Sequence, residues 1–105
     1  MPPKAKTPVH NFDIPGYEQL ADVLRRAYEQ SAIGKGADRH ANGKPFHLQP
    51  IAVGIDHFGV GGALFQAFKK MEEAQRLPTE AAVKELLGAI VYISAAVNKL
   101  ERDDG

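Results

Sequence analysis

"LPTEAAVKELLGAIVYISAAVNKL", residues 77–100, contains the longest uncharged apolar run of the chain, from Leu86 to Val97. Leu77-Pro78-Thr79 predicts a helix start, with Thr79 as the N-cap and Glu80 favourable beside the positive end of the helix dipole. We expect this helix to reach about Glu101. Two apolar stripes run along it: Leu86, Ile90, Ile93, Val97 and Leu100 form the first, and Leu87, Val91 and Ala95 the second.

A helix that is apolar over most of its circumference is buried on several sides. A chain of 105 residues supplies too few partner helices to cover both stripes. The sequence therefore predicts a homo-oligomer with this last helix near the interface.

The preceding segment keeps helical spacing from Ile51 to about Gln75, and Pro50 suits the first turn of a helix. Its interior contains Gly54, Gly59, Gly61 and Gly62, each of which disfavours a helix interior by up to about 1 kcal/mol relative to alanine. Either the helix breaks near residues 59–62, or small residues there allow close helix contact. We favour the break, with a helical hairpin formed by the last two helices.

An amphipathic helix is predicted from Tyr17 to Gly34, with one buried stripe formed by Tyr17, Leu20, Leu24, Ala27 and Tyr28. The proline-containing residues 1–14 are interpreted as a flexible N-terminal arm. Residues 15–105 are interpreted as a single helical domain. The predicted fold class is all-α, a small bundle of three to four helices that assembles as a homo-oligomer.

The charge balance, the cysteine count and the length of the apolar runs argue against several classes of protein. Thirteen basic and thirteen acidic side chains cancel, so nucleic acid is an improbable partner. There is no cysteine, which excludes disulfides and cysteine-metal sites. No apolar run approaches the roughly 18–20 residues of a membrane span, and the N-terminus does not resemble a signal peptide. We expect a cytoplasmic protein without membrane association.

Basic and hydrogen-bonding residues are concentrated in one stretch, "GKGADRHANGKPFHLQP", residues 34–50. Glycines allow its backbone N–H groups to turn toward an anion, and the helix predicted from Pro50 adds a partial positive charge. The candidate ligand-binding residues share phosphate-pairing, hydrogen-bonding or stacking chemistry: Lys35, Arg39, His40, Lys44, Phe46, His47 and Gln49. The alternative is a glycine-rich connector whose charges are merely solvated.

Catalytic and metal sites have weaker support. The stretch is neither a Walker loop nor a dinucleotide fingerprint. His40, His47 and His57 do not have a familiar metal-ligand spacing, and no serine lies in a nucleophile elbow. Glu72 and Glu73 resemble one half of the acidic set of all-helical nucleotide pyrophosphohydrolases. We therefore expect no catalytic residue, no metal and no cofactor, and we keep a metal-dependent nucleotide hydrolase as one alternative.

Three blocks taken together resemble a family of small uncharacterised tailed-phage and prophage proteins. They are the GKGxxRHAxGxPFxxQP signature of residues 34–50, "GVGGALFQAFKK" and "KELLGAIVYISAAV", and the likeness covers roughly residues 28–98. The resemblance implies a phage context and location in the host cell cytoplasm. By analogy, it also suggests the phage proteins that sequester nucleotide immune signals to counter host defence.

The predicted function is therefore binding of a phosphorylated, nucleotide-like ligand without turnover. Lys35, Arg39 and Lys44 would pair with phosphate, and His40 and His47 would donate hydrogen bonds to it. Phe46 would stack on the ligand and Gln49 would help to orient it. The other alternative is a protein-binding inhibitor of a host enzyme that uses the apolar helices.

Overall fold

The computed structural model describes residues 12–33 and 44–104. In this part of the chain the secondary structure is entirely helical. The elements are helix α1 (Glu18–Ala32), a 3₁₀ turn (Phe46–Leu48), helix α2 (Pro50–Phe58), helix α3 (Val60–Ala74) and helix α4 (Thr79–Asp104). The all-α prediction is confirmed for these residues. Most of the predicted arm at residues 1–14 lies outside them.

The break between α2 and α3 falls at Gly59. This residue has φ +85°, in the left-handed region where a side chain is strained, and its N–H donates to the Ile55 carbonyl to close α2. Pro50 occupies the first turn of α2, as predicted. The Thr79 N-cap prediction is wrong by one residue: the Pro78 carbonyl accepts from the Ala82 N–H, so Pro78 takes the capping position and α4 begins at Thr79.

Helices α3 and α4 form the predicted hairpin. The Lys70 ammonium on α3 lies 3.1 Å from the Glu85 carboxylate on α4. Gly88 gives Lys70 this space, because a Cβ at position 88 would come within 3.2 Å of the Lys70 Cδ. Helix α2 packs across the hairpin: Ile55 joins Ala63, Ala95 and Ala96 in one cluster.

The fully buried side chains of the described residues are almost all alanines, with partly buried Phe46, Ile51, Val60 and Tyr92 packed against them. Among the described residues, Ile55 and Leu87 are the only buried apolar side chains that are not alanine. The alanines are Ala21, Ala27, Ala52, Ala63, Ala67, Ala74, Ala89, Ala95 and Ala96. Small side chains let the helix axes approach closely, but each contributes little apolar area.

The large apolar side chains of the hairpin point outward, and we call this surface the hairpin face. On α3 it contains Leu64, Phe65, Phe68 and Met71, which are 42–58% exposed. On α4 it contains Leu86, Ile93, Val97 and Leu100, which are 41–57% exposed. At 3.6 residues per turn, both sets project from the side of the hairpin opposite α2.

The single chain therefore does not bury two of the predicted stripes, the first stripe of α4 and the stripe of α1. In the first stripe of α4, four of the five residues belong to the hairpin face, whereas Leu87 and Ala95 of the second stripe are buried. In α1, Ala27 is buried, but Tyr17, Leu20, Leu24 and Tyr28 are 36–69% exposed. The physical reason is the same in both helices: the most deeply buried contacts within the chain are made largely by alanines, and most of the larger stripe residues stay partly exposed.

Candidate ligand-binding groove

An open groove of about 1040 Å³ lies between α1, α4 and residues 44–49. Leu24 and Tyr28 of α1 line one wall, and Ile90 and Val91 of α4 line another. Phe46 of the 3₁₀ turn also lines the groove. The size is at the upper end of the range for small-molecule sites, which are mostly apolar with a few placed polar groups.

Hydrogen bonds hold residues 44–49 in place. The 3₁₀ turn is closed by the Leu48 N–H donating to the Pro45 carbonyl at 2.9 Å. The side chain of Gln49 is buried, and its Nε2 donates to the Lys44 carbonyl at 2.9 Å. The Gln49 carbonyl in turn accepts from the N–H groups of Ala52 and Val53 in the first turn of α2, so one residue links Lys44 to the helix start.

The polar groups of the groove are mostly neutral. Lys44 is the only formally charged side chain among the lining residues in the described part of the chain. Ser31 of α1 and Ser94 and Asn98 of α4 add hydroxyl and amide groups. The Ser94 hydroxyl donates to the Ile90 carbonyl at 2.8 Å, so its oxygen can still accept a hydrogen bond. Together with the apolar walls, these groups suit a ligand that carries both an anionic group and an aromatic or apolar moiety.

The structure brings three of the predicted site residues together. Lys44, Phe46 and Gln49 all line the groove. His47 is exposed and is not one of its lining residues. Lys35, Arg39 and His40 lie outside the described residues. Ile33 and Lys44, which flank residues 34–43 in the chain, both line the groove.

Sequence reasoning missed the residues that α1 and α4 contribute. The helical pattern predicts Tyr28 in a buried stripe and predicts no binding role for Ser31, Ser94 or Asn98. A signal was present on α4, where Ser94 and Asn98 interrupt an apolar helix at i, i+4 and so share one face. Nothing local to either helix indicates that these faces meet.

One of the two glutamates named for a hydrolase, Glu72, is engaged in an ion pair, and so is Glu85 on the facing helix α4. Glu72 accepts from Arg76 at 2.6 Å, and this hydrogen bond lowers the pKa of the carboxyl. Glu85 accepts from Lys70 at 3.1 Å, and that hydrogen bond lowers its pKa. Within residues 12–33 and 44–104, no group of three or more histidine, aspartate or glutamate side chains could hold a metal ion.

Comparisons with known proteins give no match, whether with protein-family models, curated proteins or solved structures. The resemblance to phage and prophage proteins therefore stays a prediction. In the described part of the chain, no helix is long and apolar enough to cross a membrane.

Proposed function

We propose that this protein binds a phosphorylated ligand with an aromatic moiety, such as a nucleotide, in the groove without turning it over. The observation that carries the proposal is the position of Lys44 at a large groove lined by Tyr28 and Phe46 and, among the described lining residues, by no carboxylate. An ammonium pairs with phosphate, and an aromatic ring stacks on a base.

The remaining candidate residues belong to the same proposal. Lys35, Arg39 and His40 lie between the two groove-lining positions Ile33 and Lys44 in the sequence, so a short connection could bring them to the same anion. His47 would contribute from the neighbouring turn. The proposed biological role is sequestration of a nucleotide immune signal by a phage-type protein in the host cytoplasm, and it rests on the sequence resemblance.

The proposal includes a homo-oligomer as the binding form. Its support is the exposure of large apolar side chains on α1, α3 and α4, which a single chain leaves in contact with water. The alternative occupant of these surfaces is a host enzyme inhibited by this protein, and the mass measurement described below separates the two.

Titration calorimetry tests the ligand proposal with nucleoside monophosphates, cyclic dinucleotides, an unphosphorylated nucleoside and inorganic phosphate. We expect heat from a phosphorylated nucleotide and none from the nucleoside at equal concentration. Lys44→Ala should weaken that binding about tenfold to a hundredfold, since a charge-assisted hydrogen bond contributes roughly 1.5–3 kcal/mol. The nucleotide should be recovered unchanged after incubation with Mg²⁺.

Lys84→Ala is the matched control, because Lys84 is an exposed lysine of α4 that does not line the groove. It should bind like the unmodified protein. If the Lys44→Ala variant binds the nucleotide as tightly as the unmodified protein does, Lys44 is not part of the binding site. If none of the phosphorylated compounds binds, the proposed role of the groove is wrong. If the nucleotide is hydrolysed and Glu73→Ala abolishes the hydrolysis, the result favours the hydrolase.

A further inference from the structure

The hairpin face has a spacing typical of helix–helix seams. On α3, Leu64, Phe68 and Met71 follow four- and three-residue steps. On α4, Leu86, Ile93 and Leu100 repeat every seven residues, and Val97 divides the last interval into steps of four and three. Alternating steps of three and four place side chains along one line of a helix and suit partners that cross at about 20°, as in four-helix bundles. The face therefore fits α-helices as its partner.

We infer that the hairpin face packs against the hairpin face of a second copy of this chain, so that two α3–α4 hairpins form a four-helix bundle. An isologous dimer needs a surface that complements itself. The hairpin face meets this requirement because it consists of apolar side chains of similar size, and the chain has no net charge to oppose association.

The exposed area matches what a stable dimer needs. Each of the eight side chains is about half exposed. If each residue has a surface on the order of 200 Å², together they present roughly 800 Å², which is the area that one partner contributes to a standard interface. The largest apolar patch on an ordinary monomer is about 300–600 Å².

The alanine core points to the same partner. Among the described residues, the fully buried side chains of α3 are Ala63, Ala67 and Ala74, whereas the large apolar side chains of α3 stay about half exposed in the single chain. Pairing of two hairpins would place Phe68 and Ile93 in a dry interior. The dimer would then have a core of large side chains between its subunits and alanine layers within each.

The experiment is a mass measurement by size-exclusion chromatography with light scattering on the full chain from 1 to 200 μM. The unmodified protein should have twice the 11.4 kDa chain mass, or a higher even multiple if further surfaces assemble. Phe68→Glu and Ile93→Glu should each weaken association on the order of a thousandfold, because pairing would bury an uncompensated charge.

Phe58→Glu is the matched control. Phe58 is 86% exposed at the end of α2, so the same change on another surface should leave the mass unaltered. Circular dichroism shows whether each variant folds, and the milder Phe65→Ala and Val97→Ala should weaken association while keeping the helical signal. A monomeric unmodified protein throughout the concentration range would overturn the inference and assign the face to another protein. Unchanged mass in all four face variants would also overturn it.

Discussion

At the scale of single residues, two glycines in similar sequence surroundings have opposite roles. Gly59 has φ +85° at the junction of α2 and α3, whereas Gly54 lies within α2 with open space where a Cβ would be placed. The sequence predicted a break near residues 59–62 from glycine density alone. It could not identify the breaking residue, because that choice depends on how α2 and α3 pack.

This difference gives a stability prediction. Gly59→Ala should lower the free energy of unfolding by about 1–2 kcal/mol, since an alanine is strained at positive φ. Gly54→Ala should raise it by roughly 0.5–1 kcal/mol through helix propensity. Urea denaturation measures both. Equal effects of the two substitutions would mean that the left-handed conformation of Gly59 is not needed.

Only some of the groove residues could likewise be predicted from the sequence around them. Lys44, Phe46 and Gln49 could be predicted because they lie in one short basic stretch with obvious binding chemistry. Tyr28 and Asn98 could not, because they are 70 positions apart in the sequence and their convergence depends on α1 packing against α4. The buried role of Gln49, which holds the Lys44 carbonyl, also depends on the fold.

At the scale of the elements, the α3–α4 hairpin is held by one partly buried ion pair in addition to its alanines. The pKa of Glu85 is lowered, chiefly by the hydrogen bond from the Lys70 ammonium and further by its charge, while partial burial of the carboxyl opposes the lowering. A lowered folded-state pKa means that the unfolded chain binds the proton more readily. The stabilisation is present above the ordinary glutamate value of 4.5 and is lost as the pH falls through the lower folded value.

We therefore expect Glu85→Gln to reduce the loss of stability on acidification below about pH 4.5. At pH 7 the same substitution should lower the free energy of unfolding by about 0.5–1 kcal/mol, the scale of a partly exposed ion pair. Urea denaturation between pH 3 and pH 7 gives both quantities. In a Lys70→Met background the effect on the pH profile should disappear. If Glu85→Gln still changes the pH profile in the Lys70→Met background, the ion pair does not cause the change.

Helix types and approximate bounds could be predicted because periodicity is a local property. The direction in which each apolar face points could not. In α1 and α4 the larger side chains led us to expect buried stripes, yet alanines such as Ala27 and Ala95 make the contacts within the chain. Close helix approach selects small side chains at the contact, and hydrophobic periodicity does not distinguish a face that packs within the chain from one that packs against a partner.

At the scale of the whole molecule, folding and association should be linked. A chain whose fully buried side chains are mainly alanines gains less from the hydrophobic effect than one that buries larger side chains, since that gain is proportional to the apolar area removed from water. The hairpin face contains larger side chains that pairing would bury. Stability should therefore depend on protein concentration, because a partner that binds only the folded chain shifts the equilibrium toward it.

Thermal unfolding at 2 and 200 μM tests this link. For a dimer of this size, a hundredfold rise in concentration should raise the midpoint by on the order of 5–10 °C. The Phe58→Glu variant should show the same rise, because its substitution lies outside the hairpin face. The Ile93→Glu variant should unfold at a lower temperature that does not change with concentration. A midpoint independent of concentration in the unmodified protein would mean that the alanine core alone stabilises the fold.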